Sequence, residues 1–151
     1  KKEVKVILHN TLVASEYSLI DQDTYLPKPN YWAALLWARL MGTEVYEAGK
    51  GAPGVYLFAH NTKGKPGSMT LLVINTNKAP ATINLTADAM QYRLTSNNLQ
   101  GETVQLNGKE LTLGANGALP RFAGQPVKAG NAEVPPTSIT FFTMAGATGN
   151  R

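Results

Sequence analysis

Between Ser15 and Asp23 the chain groups side chains that can move protons or hold a polar ligand: Glu16, Tyr17, Asp21 and Asp23. Two carboxyls about 5 to 5.5 Å apart can cleave a glycosidic bond with retention, and about 6.5 to 9.5 Å apart with inversion. Glu16 and Asp21 can in principle meet either separation. The plainer reading of all three acids is a set of loop carboxylates that bond backbone amides or stay solvated. Tyr17 differs in kind, because a phenol can pack on a sugar face or bond a substrate oxygen. Ordinary loop packing is its alternative, and the residue types leave both open.

Other chemistry is thinly represented. His9 and His60 lie about fifty residues apart in expected strands, without an HExxH pattern or a nearby carboxylate-histidine cluster, and both read as structural or surface residues. No metal site is read. No Walker loop or GxGxxG appears, and Gly49, Gly51 and Gly54 precede no helix, so they read as a turn. Asn84-Leu85-Thr86 is a glycosylation sequon, meaningful only in a eukaryotic secretory context. With no cysteine, disulfides and thiolate chemistry are excluded.

The acidic loop lies between two elements that would position it. Val4, Val6 and Leu8 alternate with Lys5, Ile7 and His9, and Leu12 and Val13 extend the apolar character, as in a buried parallel strand. After Pro27 and Pro29, Asn30 suits an N-cap, and Trp32, Leu35, Leu36 and Leu40 recur at helical spacing through Met41. Arg39 sits where the helix dipole favours a cation, and Gly42 suits a left-handed C′ position. One strand-loop-helix unit cannot bury its own apolar faces. The chain is therefore expected to carry the end of a barrel whose other units lie elsewhere, with the acidic loop on the rim where barrel enzymes bind substrates.

Beyond Gly42 the helical period disappears. Strands are expected over Glu44–Glu47, Val55–His60, Met69–Asn75, Ala81–Leu85, Gln91–Thr95, Thr103–Leu106, Glu110–Leu113 and Ser138–Met144. Their spacing of about ten residues is that of an antiparallel sandwich. Asn107-Gly108 is the best hairpin signal, since both residues tolerate positive φ. The stretch from Gly114 to Pro136 reads as loop, and the tail from Ala145 to Arg151 as fraying. The fold class is thus α/β plus all-β: residues 1–42 as the final βα unit of a (β/α)8 barrel, residues 43–151 as a β-sandwich.

Composition agrees with a packed protein: 151 residues, 43% hydrophobic and 16% charged. A net charge of +4 comes from dispersed residues and makes no basic stripe, so nucleic acid is not expected as a partner. No apolar run approaches the roughly 18 to 20 residues of a membrane span.

The block EYSLID…PNYWAALLWARLMGTEV, followed by VYLFAH, LLVIN, VQLNGKELTL and SITFFTM, resembles the C-terminal part of glycoside hydrolase family 79, the heparanases and related β-glucuronidases. The match runs in order from about Lys5 to Met144. It implies a barrel-plus-sandwich enzyme that hydrolyses β-linked glucuronic acid with retention, without a cofactor, and is secreted or periplasmic. Its two catalytic glutamates belong to earlier barrel strands and match no position here, so no catalytic residue is expected in this chain. Tyr17 matches a tyrosine that helps hold the sugar in the catalytic subsite, flanked by Ser15 and Glu16 where heparanase has Gly and Asn. That departure puts backbone contacts at these two positions in doubt.

The resemblance implies two partners: the N-terminal part of the same enzyme, and a glucuronic-acid-containing glycan, of which heparan sulfate is one. Family members add strands to the sandwich from the start of the full chain, so an exposed sheet edge and poor solubility in isolation are expected. The missing cysteines differ from mammalian heparanase and look more like a bacterial member. Two other readings stay in view: a non-catalytic carbohydrate- or protein-binding sandwich, and a retaining glycosidase of another barrel-plus-sandwich family.

Overall fold

The computed structural model describes residues 11–146. The strand expected from Val4 therefore lies almost wholly outside the described residues, with His9, and so does the tail from residue 147. Leu12 and Val13, expected to continue that strand, lie in a bend.

Helix α1 runs from Pro29 to Leu40. Pro29 opens it because its fixed φ suits the first turn and its missing N–H would be unpaired there anyway. The N-cap position is taken by Lys28 in extended conformation, and no side chain caps the helix. Asn30 is thus not the cap. It already lies inside the first turn, and its amide serves a tertiary contact described below.

At the other end the chain passes directly into strand β1 (Met41–Tyr46). Gly42 belongs to that strand and does not have positive φ. Its reason is steric: a Cβ there would overlap the Asn61 side-chain amide, whose Oδ1 accepts from Glu44 N–H at 2.9 Å. The sheet and the turn at Lys63 supply donors to the last helical carbonyls. Thr70 Oγ1 and Lys63 N–H donate to Leu40 O at 3.0 and 3.1 Å, and Lys63 Nζ donates to Ala38 O at 2.8 Å.

The remaining strands are β2 (Val55–Thr62), β3 (Ser68–Asn75), β4 (Ala81–Leu85), β5 (Ala89–Thr95), β6 (Gln105–Leu106), β7 (Lys109–Glu110), β8 (Gln125–Val127), β9 (Gly130–Val134) and β10 (Ser138–Ala145). An eight-stranded sheet has the order β1-β2-β3-β10-β5-β6-β7, with β8 also on β5, and β4 and β9 form a separate ribbon. All pairings of these strands are antiparallel. β10 lies between β3 and β5, which explains a sequence apolar on both faces: Phe141 and Phe142 are both buried.

The sequence expectation differs most over Gly114–Pro136, which contains β8 and β9 where loop is expected. Gly130, Asn131 and Ala132 are weak strand formers. Pairing with β4 makes β9, and Ala132 and Val134 bury its inward face. The Asn107-Gly108 hairpin is present, with both residues at positive φ. Asn107 is also fixed by tertiary bonds, its amide donating to Gln91 O and Ala123 O while its Oδ1 accepts from Arg93 N–H.

Two cores result, one on each side of the large sheet. Toward the ribbon, Val55, Ala59, Leu71, Val73, Phe142 and Met144 meet Leu85, Ala132 and Val134. Toward the helix, Leu72, Leu94, Leu106 and Phe141 meet Trp32 and Leu36. Leu36 is fully buried, worth about 2 kcal/mol relative to exposure.

Candidate functional site

The loop before the helix is a small closed structure. Ile20 and Pro27 form an antiparallel bridge, Ile20 N–H donates to Leu12 O at 2.9 Å, and Asp21 N–H donates to Leu26 O at 2.9 Å. Asp21 makes the turn between them. Its Oδ1 accepts from Asp23 N–H at 3.1 Å and from Thr24 N–H and Oγ1, both at 2.9 Å. Those bonds, the Thr24 amide's foremost, hold the Asp21 carboxyl below the usual carboxylate range. A carboxyl held ionised in this way is a poor general acid, and Asp21 is a loop carboxylate bonded to backbone amides.

Ser15, Glu16 and Tyr17 form the adjoining turn, which starts after Ala14 at φ 72° and closes with Ser18 N–H on Ser15 O at 3.1 Å. Ser18 is fully buried and donates its hydroxyl to Ile20 O at 2.7 Å. From this buried base the turn projects Tyr17, a residue 60% exposed. Glu16 is exposed as well. Ser15 points inward, and its buried Oγ has no hydrogen-bond partner among the described residues.

Two residues tie this turn to the helix: Lys28, which sequence reasoning missed, and Asn30, which it read as an N-cap. Asn30 Nδ2 donates to Tyr17 O at 3.1 Å and Ser18 O at 3.3 Å. Lys28 Nζ donates to Ser15 O at 3.3 Å and Glu16 O at 3.2 Å, and lies 3.8 Å from Asp21 Oδ2. The only sequence signal for Lys28 is its place between Pro27 and Pro29, which restricts its backbone.

The arrangement presents a phenol above a braced backbone turn, next to one ammonium group. Such a group can donate a hydrogen bond to a sugar or carboxylate oxygen without adding negative charge. Among the described residues no group of three or more His, Asp or Glu could hold a metal ion. His60 is taken up structurally: its Nδ1 lies 2.8 Å from Gly42 O, and its ring packs edge-on against Trp37 at 5.2 Å. Beside Asn30 a mostly apolar groove of about 300 Å³ opens between helix and sheet, lined by Ala33, Leu94, Leu99 and Val104 among others.

No protein-family model matches the chain. It is similar to a baicalin-β-D-glucuronidase of Scutellaria baicalensis, at 36% identity over 97% of this chain and 29% of that protein. It is also similar to heparanase-like protein 1 of Arabidopsis thaliana, at 31% identity over 80% of this chain and 29% of that protein. The chain thus spans under a third of the length of these relatives. Both are plant proteins, and nothing in them supports the bacterial source expected from the missing cysteines. Among solved structures, a glycoside hydrolase family 30 subfamily 8 xylanase from Clostridium acetobutylicum shares the fold, with a TM-score of 0.54 and 16% identity over 87% of this chain and 31% of that one. No helix among the described residues is long and apolar enough to cross a membrane.

Proposed function

We propose that this chain is the C-terminal part of a retaining glycoside hydrolase of family 79 that cleaves β-linked glucuronic acid. Its catalytic glutamates lie on upstream barrel strands outside the chain. The observation that carries the reading is the 36% identity with a β-D-glucuronidase over nearly all of this chain. Residues 1–42 are then the last barrel strand, rim loop and helix, and residues 43–151 the sandwich.

The helix supports this division. Trp32 and Leu36 face the sheet, yet Ala34, Trp37 and Ala38 form a second apolar stripe that is exposed. A helix apolar on two sides is a helix between two layers. The rest of the barrel is the second layer.

In the reaction, positive charge develops on the sugar ring while the substrate's own carboxylate needs neutral or positive hydrogen-bond partners. Tyr17 supplies a neutral donor at the rim, and Ser15 and Glu16 complete the turn that presents it. In this reading Glu16 flanks the sugar subsite beside Tyr17 and is not a catalyst. The protein acts outside the cytoplasm on a glucuronic-acid-containing glycan, heparan sulfate among the candidates.

The test is Tyr17→Phe in the complete enzyme, read as kcat/KM on an aryl glucuronide. A fall of about tenfold or more is expected, and a fall below about threefold removes Tyr17 from the substrate site. Profiling against aryl xylosides and glucosides separates this reading from a glycosidase of another barrel-plus-sandwich family, because preference for the glucuronide requires recognition of the carboxylate.

A further inference from the structure

We propose that Lys28 is a positioning residue for the rim phenol: its ammonium, bonded to two consecutive carbonyls of the turn, sets the direction in which Tyr17 leaves the backbone. The inference rests on the reading of Tyr17 as a substrate-binding residue.

Two N–H groups of the ammonium donate to backbone carbonyls, and one carboxylate lies within ion-pair distance. Ser15 O and Glu16 O lie at 3.3 and 3.2 Å, and Asp21 Oδ2 lies at 3.8 Å. The Lys28 side chain is only 17% exposed, and its bond to Ser15 O is partly buried, where competition from water is reduced. Hydrogen bonds to a charged donor are about twice as strong as neutral ones. Holding two successive carbonyls fixes both peptide planes that precede Tyr17, and with them its Cα–Cβ direction. Asn30 holds the carbonyl that follows, through its bond to Tyr17 O.

The lysine is itself held firmly. Pro27 and Pro29 confine the backbone on either side, Lys28 N–H donates to Leu19 O at 2.9 Å, and Lys28 O accepts from Tyr31 N–H at 3.0 Å in the first turn of the helix. The clamp therefore refers the turn to the helix, and through Trp32 and Leu36 to the sheet. Asp21, already fixed by its own turn, pairs with the ammonium at 3.8 Å. A long, flexible side chain ordered across twelve or thirteen residues is a costly device for packing alone.

The test is a double-mutant cycle in the longer enzyme, with Lys28→Met, which keeps the aliphatic stem, and Tyr17→Phe. Lys28→Met alone should lower kcat/KM on an aryl glucuronide about tenfold, the scale on which small misplacements act. In the Tyr17→Phe background it should cost less than about twofold, because the hydroxyl it positions is gone. Equal factors in both backgrounds would overturn the inference. Lys28→Arg should recover most of the loss.

Amide hydrogen exchange gives a readout independent of substrate. The Ser18 N–H, bonded to Ser15 O, should exchange about tenfold faster in Lys28→Met and return toward the starting rate in Lys28→Arg. Unchanged exchange at Ser18 overturns the clamp. If the parent enzyme leaves aryl glucuronides intact, the glucuronidase reading fails, and exchange alone then decides the role of Lys28.

Discussion

On the ribbon side of the large sheet, Val73, Val134 and Phe142 have no exposed surface, and Asn75 stitches the two layers together. Its Nδ2 donates to Ala79 O, Val134 O and Pro135 O, and its Oδ1 accepts from Asn77 N–H. On the helix side, the outer strands tell a different story. Tyr56 and Phe58 on β2 remain 55% and 43% exposed, Val45 on β1 is exposed, and Trp37 continues the patch onto the helix through its contact with His60. Both faces of the sheet carry apolar residues, but among the described residues the helix side leaves its outer strands more exposed. A contiguous apolar surface of this kind marks a place where another layer packs.

The largest effect should come from the ribbon side. Phe142→Ala should cost about 3 to 5 kcal/mol in urea unfolding of the longer protein, because β10 is central and close-packed neighbours cannot collapse into the hole. Phe58→Ala is the matching change on the helix side. If solvent is its only cover, the cost should stay within about 0.5 kcal/mol, as for other surface changes. If the barrel packs there, as the proposed function requires, the cost in the longer protein should rise to about 2 kcal/mol or more. A Phe58→Ala cost near zero in that protein would move the barrel contact off β2 and onto the helix alone.

The same contrast explains what was legible from residues alone. Helix α1 and most strands follow from periodicity, because burial on a layer imposes a spacing that the sequence must carry. The Asn107-Gly108 turn is legible because positive φ selects those residue types. β9 is not, since Gly130-Asn131-Ala132 has little strand preference and owes its form to a partner 49 to 45 residues back in β4. Gly42 is legible as a special glycine but not for the right reason, which is the Asn61 amide against its backbone. Glu16 and Tyr17 are legible as possible chemistry by residue type, but the types leave Tyr17 open between substrate binding and loop packing, and only the family resemblance groups it with Ser15 and Glu16 as a candidate site. Their supports, Lys28 and Asn30, leave no pattern, because a side chain reaching a carbonyl twelve residues away obeys no period.

A smaller effect distinguishes the carboxylates of the two regions. Asp21 on the helix side and Asp88 on the ribbon side both have pKa values below the usual carboxylate range, but for different reasons. Asp21 is lowered first by the Thr24 amide and hydroxyl, and Asp88 first by the Lys128 side chain at 2.7 Å and then by the Ala129 amide. In both cases the unfolded chain binds the proton more readily. The stabilisation is therefore present above about pH 4 and lost as pH falls through the folded values. Salt should separate them. The Lys128–Asp88 pair is largely exposed, and at about 1 M ionic strength the screening length shrinks to about 3 Å. The Asp88 pKa, followed by carboxyl NMR, should move back toward its ordinary value, whereas that of Asp21 should hardly change, because local backbone bonds need no long-range field. Equal salt responses would mean that Asp21 depends on Lys28 for its charge state. The 3.8 Å approach of that ammonium would then outweigh the three shorter bonds that close the turn.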